Sequence, residues 1–87
     1  MKNSKTLSAY PNPSTDNVTV KYTLRKDSNV SVKMYDIAGK LVYTNSSNVS
    51  AGNNSVNIKV ADFESGIYVV TVTGNEIKEH VNIVITK

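Results

Sequence analysis

The chain has 87 residues, enough for one small domain, and a domain of that size buries only about 60–65% of its unfolded surface. It has no cysteine, which excludes disulfides and thiolate metal sites, and no apolar run approaches the ~20 residues of a membrane-spanning helix. The net charge of +3 comes from ten Lys/Arg, scattered singly apart from Arg25-Lys26, so the basic stripe with aromatic partners that nucleic acid requires is missing.

Val, Ile and Thr supply 27 of the 87 residues, against three Leu and four Ala. Branched side chains fill a pleated surface and lose rotamer freedom in helices, so this bias favours strands. Met1-Lys2-Asn3-Ser4-Lys5 lacks the apolar stretch of a signal peptide, and any export signal is expected further upstream. Residues 1–7 read as a linker from an upstream domain and residues 8–87 as one folded unit.

Leu7 to Tyr10 reads as a short first strand. In Tyr10-Pro11-Asn12-Pro13 each proline locks its own φ and pushes the preceding residue toward extended backbone, giving a stiff segment. Neither proline donates to a ladder, so the segment belongs at a sheet edge or in the approach to one. Val18 to Leu24 shows the cleanest period-2 pattern, with Val18, Val20, Tyr22 and Leu24 facing one way. After a polar turn at residues 25–29, Val30, Val32 and Met34 repeat it.

Asp36-Ile37-Ala38-Gly39-Lys40 reads as a hairpin turn in which Asp36 accepts from the turn backbone and Gly39 supplies a positive φ. Pairing Asp36 with Lys40 places Met34 opposite Val42 on the inner face. On the outer face it places Tyr35 opposite Leu41 and Lys33 opposite Tyr43. Residues 44–54, rich in Asn and Ser, read as a loop. Val56, Ile58 and Val60 give another strand, and Phe63 reads as a plug at the end of the fold. Gly66 opens a strand, 66–73, that is apolar on both phases, as expected of a central strand. Gly74-Asn75 marks the last turn, and Val81, Ile83 and Ile85 form the inner face of a closing strand, Lys78 to Lys87. Its register stays open, because Glu79 otherwise falls on the inner phase. Seven short strands with regularly spaced turn signals predict an all-β fold, an antiparallel seven-stranded immunoglobulin-like β-sandwich.

No constellation carries catalytic chemistry. His80 is the only histidine, and neither a nucleophile elbow nor an oxyanion loop accompanies it, so the chain is not expected to be an enzyme. One histidine without cysteine builds no zinc site, and the spacing of Asp62 with Glu64, or of Asp16 with Asn17, is unspecific for calcium. No cofactor and no metal are expected. Asp36, Gly39 and Gly66 are read as structural turn residues.

Tyr10-Pro11-Asn12-Pro13, then Tyr35-Asp36-Ile37-Ala38-Gly39-Lys40-Leu41-Val42, then Gly66-Ile67-Tyr68-Val69-Val70, then the closing strand come in a fixed order. Together they resemble the type A C-terminal sorting domain of the type IX secretion system of Bacteroidetes, over about residues 8 to 87. The resemblance implies a module that sends an upstream cargo domain through periplasm and outer membrane to the cell surface or medium. The partners it implies are the outer-membrane translocon and, in many members, a sortase-like transpeptidase that removes the module. Glu79 and His80 depart from the more basic stretch that the family often carries there.

A terminal edge strand can accept a partner strand on its main chain, which makes Lys78, Val84, Thr86 and Lys87 the candidate recognition residues, with Tyr10, Pro11, Asn12 and Pro13 at the entrance. The alternative is a carbohydrate-binding or adhesive sandwich appended to a secreted hydrolase. Its sugar platform has no Trp to use and rests on an outer face holding Tyr35 and Tyr43.

Overall fold

The computed structural model describes residues 7–10, 16–75 and 77–86, and these form two antiparallel sheets without a helix. The strands are β1 (Ser8–Tyr10), β2 (Asn17–Leu24), β3 (Ser28–Tyr35), β4 (Leu41–Val49), β5 (Gly52–Lys59), β6 (Gly66–Thr73) and β7 (Lys78–Ile85). One sheet has the order β1-β2-β5 and the other β4-β3-β6-β7. The all-β sandwich is therefore as the alternation predicts.

The core forms where the inner phases of the two sheets meet. Val18, Val20, Met34, Ile58, Val60, Val70, Val72 and Ile83 are all at 0% exposure. Tyr22, Leu24, Val30, Val32, Tyr68 and Ile85 join them in the same cluster. Val42, Val56 and Val81, also expected inside, are half-buried against it. Leu7 and Ile77 are buried as well, although the alternation did not assign them inward. Phe63 packs on the cluster and stacks on Tyr68 with ring centroids 5.9 Å apart, as its reading as an end plug requires. The Tyr68 hydroxyl donates to the Glu64 carbonyl at 2.7 Å, so this core tyrosine keeps a hydrogen-bond partner.

Burial of Tyr22 pushes its phenol above the usual tyrosine value of 10.0. The unfolded chain then ionises first, so the stability due to a neutral Tyr22 is complete below pH 10 and is lost as pH rises through the folded value. Tyr22→Phe is expected to flatten the alkaline fall in stability while changing little at pH 7. Denaturant titrations of both proteins across that range check it, and an unchanged alkaline slope would count against it.

Residues 44–54 are not a loop. β4 continues to Val49 and β5 begins at Gly52, leaving Ser50 and Ala51 as the crossover between sheets. Asn and Ser have low strand propensity, but each strand here borrows its order from an apolar neighbour, β3 or β2. Cross-strand side chains add hydrogen bonds. Asn29 Nδ2 donates to Asn48 Oδ1 at 3.1 Å, Ser31 and Ser46 hydroxyls lie 3.0 Å apart, and Thr23 Oγ1 donates to Asn53 Oδ1 at 3.0 Å.

The hairpin register also differs from expectation. Tyr35 does face Leu41, but a bulge between Met34 and Tyr35 pairs Met34 with Tyr43 and Lys33 with Thr44. Val42 is the extra residue, and beyond it the inner phase of β4 passes to Tyr43, Asn45, Ser47 and Val49.

Gly74 sits where β6 turns back into β7. A Cβ added there would lie 2.9 Å from Ser28 Oγ and 3.2 Å from both the Asn29 carbonyl and Ile77 Cγ2. Ser28 Oγ is itself committed, accepting from the Asn75 N–H at 3.0 Å and donating to the Asn29 carbonyl at 3.2 Å. Gly74→Ala is expected to cost about 1–3 kcal/mol from crowding, read as a shift in urea midpoint at constant slope.

Candidate functional site

β7 is held by its apolar phase: Ile83 and Ile85 are buried, and its ladder with β6 runs from Thr73 opposite Lys78 to Gly66 opposite Ile85. Among the described residues it is the last strand of its sheet, with β6 as its ladder partner. The register left open by the sequence pairs Val72 with Glu79, and the turn closes through the Gly74 N–H on the Ile77 carbonyl at 2.8 Å. Glu79 thus does occupy the inner phase. It is tolerated because it sits half-buried at the rim, where Oε1 accepts from the Leu7 N–H at 3.3 Å.

The candidate residues do not form one cluster. Lys78 is exposed at the start of β7, Val84 is 39% exposed near its end, and Thr86 follows the strand, exposed. Tyr10, 47% exposed, ends β1 in the other sheet, opposite Thr19. Pro11, Asn12, Pro13 and Lys87 lie outside the described residues.

The turn residues do what their types suggest. Asp36 Oδ1 accepts from the Ala38 N–H at 3.0 Å and the Lys40 N–H at 2.9 Å, and Gly39 has φ +88°. Asp36→Ala leaves two backbone donors to solvent and is expected to cost about 1–2 kcal/mol in a urea titration. Gly66 is the first residue of β6, opposite Ile85.

The ladders place the outer face of the four-stranded sheet in rows. Val84 lies beside Ile67. Asn82, Val69, Tyr35 and Leu41 make the next row across all four strands. His80, Thr71, Lys33 and Thr44 make the third, and Lys78, Thr73, Ser31 and Ser46 the fourth. Apolar residues thus gather at the hairpin end, and Ser, Thr and Lys at the other. Ile67 is 49% exposed, and the alternation did not single it out. Its signal was there, since β6 is apolar on both phases. That pattern marks a strand central within its sheet, but here Ile67 on its outer phase is exposed.

Tyr43 is absent from this face because the bulge turns it to the inner phase, half-buried against the core. A sugar platform built from Tyr35 and Tyr43 together is therefore not formed. At the opposite end a polar hollow is lined by Asp27, Ser28, Asn29, Asn48 and Asn75. Its groups serve the crossovers: Asp27 Oδ1 accepts from the Ala51 N–H at 2.8 Å, tying the β2–β3 link to the β4–β5 link. Among the described residues, no group of three or more His, Asp or Glu is placed to hold a metal ion.

Residues 8–86, spanning β1 through β7, match the family model of the secretion system C-terminal sorting domain. The chain is a type IX sorting domain. The sorting domain is also 36% identical over 73 residues to an ulvan lyase, NLR42, from Nonlabens ulvanivorans, a stretch that makes up 83% of this chain and 12% of that protein. As a member of this family it is a secretion signal, and it directs the protein that carries it to the cell surface or the medium. The family resemblance read from the four ordered motifs holds.

Proposed function

We propose that residues 8–87 act as a folded address for an upstream cargo domain, joined through residues 1–7, and that the outer-membrane translocon reads it through β7. The observation that carries this reading is the position of β7: its inner residues anchor it in the core, and among the described residues it ends the sheet, with Lys78 and Val84 exposed. The partner reads side chains of this strand and of the residues after it, with Lys78, Val84, Thr86 and Lys87 as the determinants. Tyr10 ends β1 and Pro11, Asn12 and Pro13 follow it in the chain, so these four belong to the address rather than to the joint to the cargo. Leu7, the last residue of the connector 1–7, is buried in the core and fixes where the domain begins. Shuttle or transpeptidase proteins of the outer membrane then act on the cargo-bearing chain, and the domain catalyses nothing itself.

The test is a reporter with an upstream signal peptide, with and without residues 1–87, in a bacterium that has this secretion route. The reporter is expected on the surface or in the medium only when the domain is attached. Val84→Asp, an outward change, is expected to lower the exported fraction about tenfold while the purified domain stays folded. A domain-bearing reporter retained in the periplasm would sink the reading.

A further inference from the structure

Among the described residues, β4 ends the four-stranded sheet on the side away from β7 and pairs with β3 alone. Strands in that position usually carry a device against further pairing, such as short length, charge, proline or a bulge. β1 has only three residues, and β7 carries Lys78, Glu79 and His80. β4 is different. Its nine residues, Leu41–Val49, hold no charge and no proline. The bulge at Val42 touches only its first residues, and from Tyr43 to Val49 it runs in unbroken register opposite Met34 to Ser28.

The same side of the sandwich leaves apolar surface partly open. Val42, Tyr43 and Val49 of β4 and Val56 of β5 pack on the core but stay half-buried. β5 ends the three-stranded sheet, and Lys59 is its single charge. The regular run of β4 also matches itself. Its midpoint is Ser46, and a twofold axis there, normal to the sheet, lays a second copy antiparallel with opposite residues on the same face. Ser46 then meets Ser46 of the other copy, Thr44 meets its Asn48, Asn45 its Ser47 and Tyr43 its Val49. The Tyr43–Val49 match occurs twice and lies on the inner phase, so it extends the core across the junction. Aromatic with β-branched is a favourable cross-strand pair, and no like charges meet because the run holds none.

We infer that two copies of this chain associate edge to edge through β4, Tyr43 to Val49 pairing antiparallel about Ser46 into one continuous sheet. A second copy suits this edge because the run is its own complement, and an isologous contact of that kind closes at two. Seven residues a side make a small interface, so the dimer is expected to be weak, with a Kd of about 0.1–1 mM. It goes beyond the sorting reading and leaves β7 uncovered at the far side of each copy.

The chain has no cysteine, so one introduced thiol reads the register. Ser46→Cys sets the two thiols opposite each other, within the Cα separation of about 4.4–6.8 Å that a disulfide accepts. Asn48→Cys, equally exposed, leaves them about 13 Å apart along the strands. With copper–phenanthroline as oxidant, the first is expected to cross-link about tenfold faster than the second. Sedimentation of the wild type is expected to show a reversible dimer. Thr44→Glu/Asn48→Glu places like charges opposite each other twice and is expected to raise its Kd about tenfold, whereas Thr44→Glu/Asn48→Lys keeps it near wild type. Both change Thr44 in the same way opposite Lys33, so only the sign at 48 differs. General charge repulsion predicts the reverse order, since the lysine variant is the more cationic. Melting shows that each variant is folded, and if the glutamate pair is not, the cysteine pair decides. A wild type that stays monomeric up to about 1 mM overturns the inference. So does a dimer indifferent to the sign at 48, or equal cross-linking at 46 and 48, either of which places the contact elsewhere.

Discussion

Removing Lys78–Lys87 is expected to unfold the domain altogether. The deleted strand carries Ile83 and Ile85, at 0% and 1% exposure, and half-buried Val81. Truncating one buried Ile to Ala costs about 2–5 kcal/mol, and a whole domain has only about 5–15 kcal/mol, with small ones near the lower end. Losing both isoleucines and the β6–β7 ladder therefore exceeds what the remaining strands supply. β6 would become a bare apolar edge of the kind that aggregates. Circular dichroism of the truncated domain is expected to show no cooperative thermal transition. A transition near that of the intact protein would refute the expectation. The consequence for function is direct. Loss of export on truncation measures loss of fold, so it cannot show that β7 is the element recognised. Outward substitutions on an intact β7 can, because Lys78, Val84 and Thr86 are exposed while the inner phase holds the strand in place.

The parts of the fold legible in the sequence are those where side-chain chemistry and backbone geometry agree. β2 alternates without exception from Val18 to Leu24, and all four of its inner residues are buried. Asp36 and Gly39 specify their turn, and the turn is there. Where the two disagree, distant pairing decides the structure. β4 and β5 are strands because β3 and β2 offer them paired backbone, information that lies far away in the chain. A bulge leaves no local signature in Leu41-Val42-Tyr43, since all three residues suit either face. Ile77 lies just before β7, and the stretch from Leu7 to Tyr10 is too short to show an alternation, so neither Leu7 nor Ile77 is marked as inward by its pattern. The candidate site was legible as a strand but not as a surface. Tyr35, Leu41, Ile67 and Val84 come from four strands, and only the ladders bring them into adjacent rows.

The bulge gives the second large effect. Met34 is at 0% exposure and lies between Tyr43 of β4 and Val70 of β6, in the middle of the four-stranded sheet. Met34→Ala removes most of a side chain from a site closed on both sides, so the surroundings cannot collapse to fill it. A loss of about 2–5 kcal/mol is expected. Val42, in register with no residue of β3, is only half-buried. Val42→Ala forfeits part of a smaller side chain at a position already open to solvent, and about 1 kcal/mol is expected. Urea titrations of the two variants at equal slope give the contrast directly. Had Met34 and Val42 faced each other across a regular hairpin, both would be core residues and the two losses would be similar. Near-equal losses would therefore argue against the bulge, and with it against the inward turn of Tyr43 that removes the sugar platform.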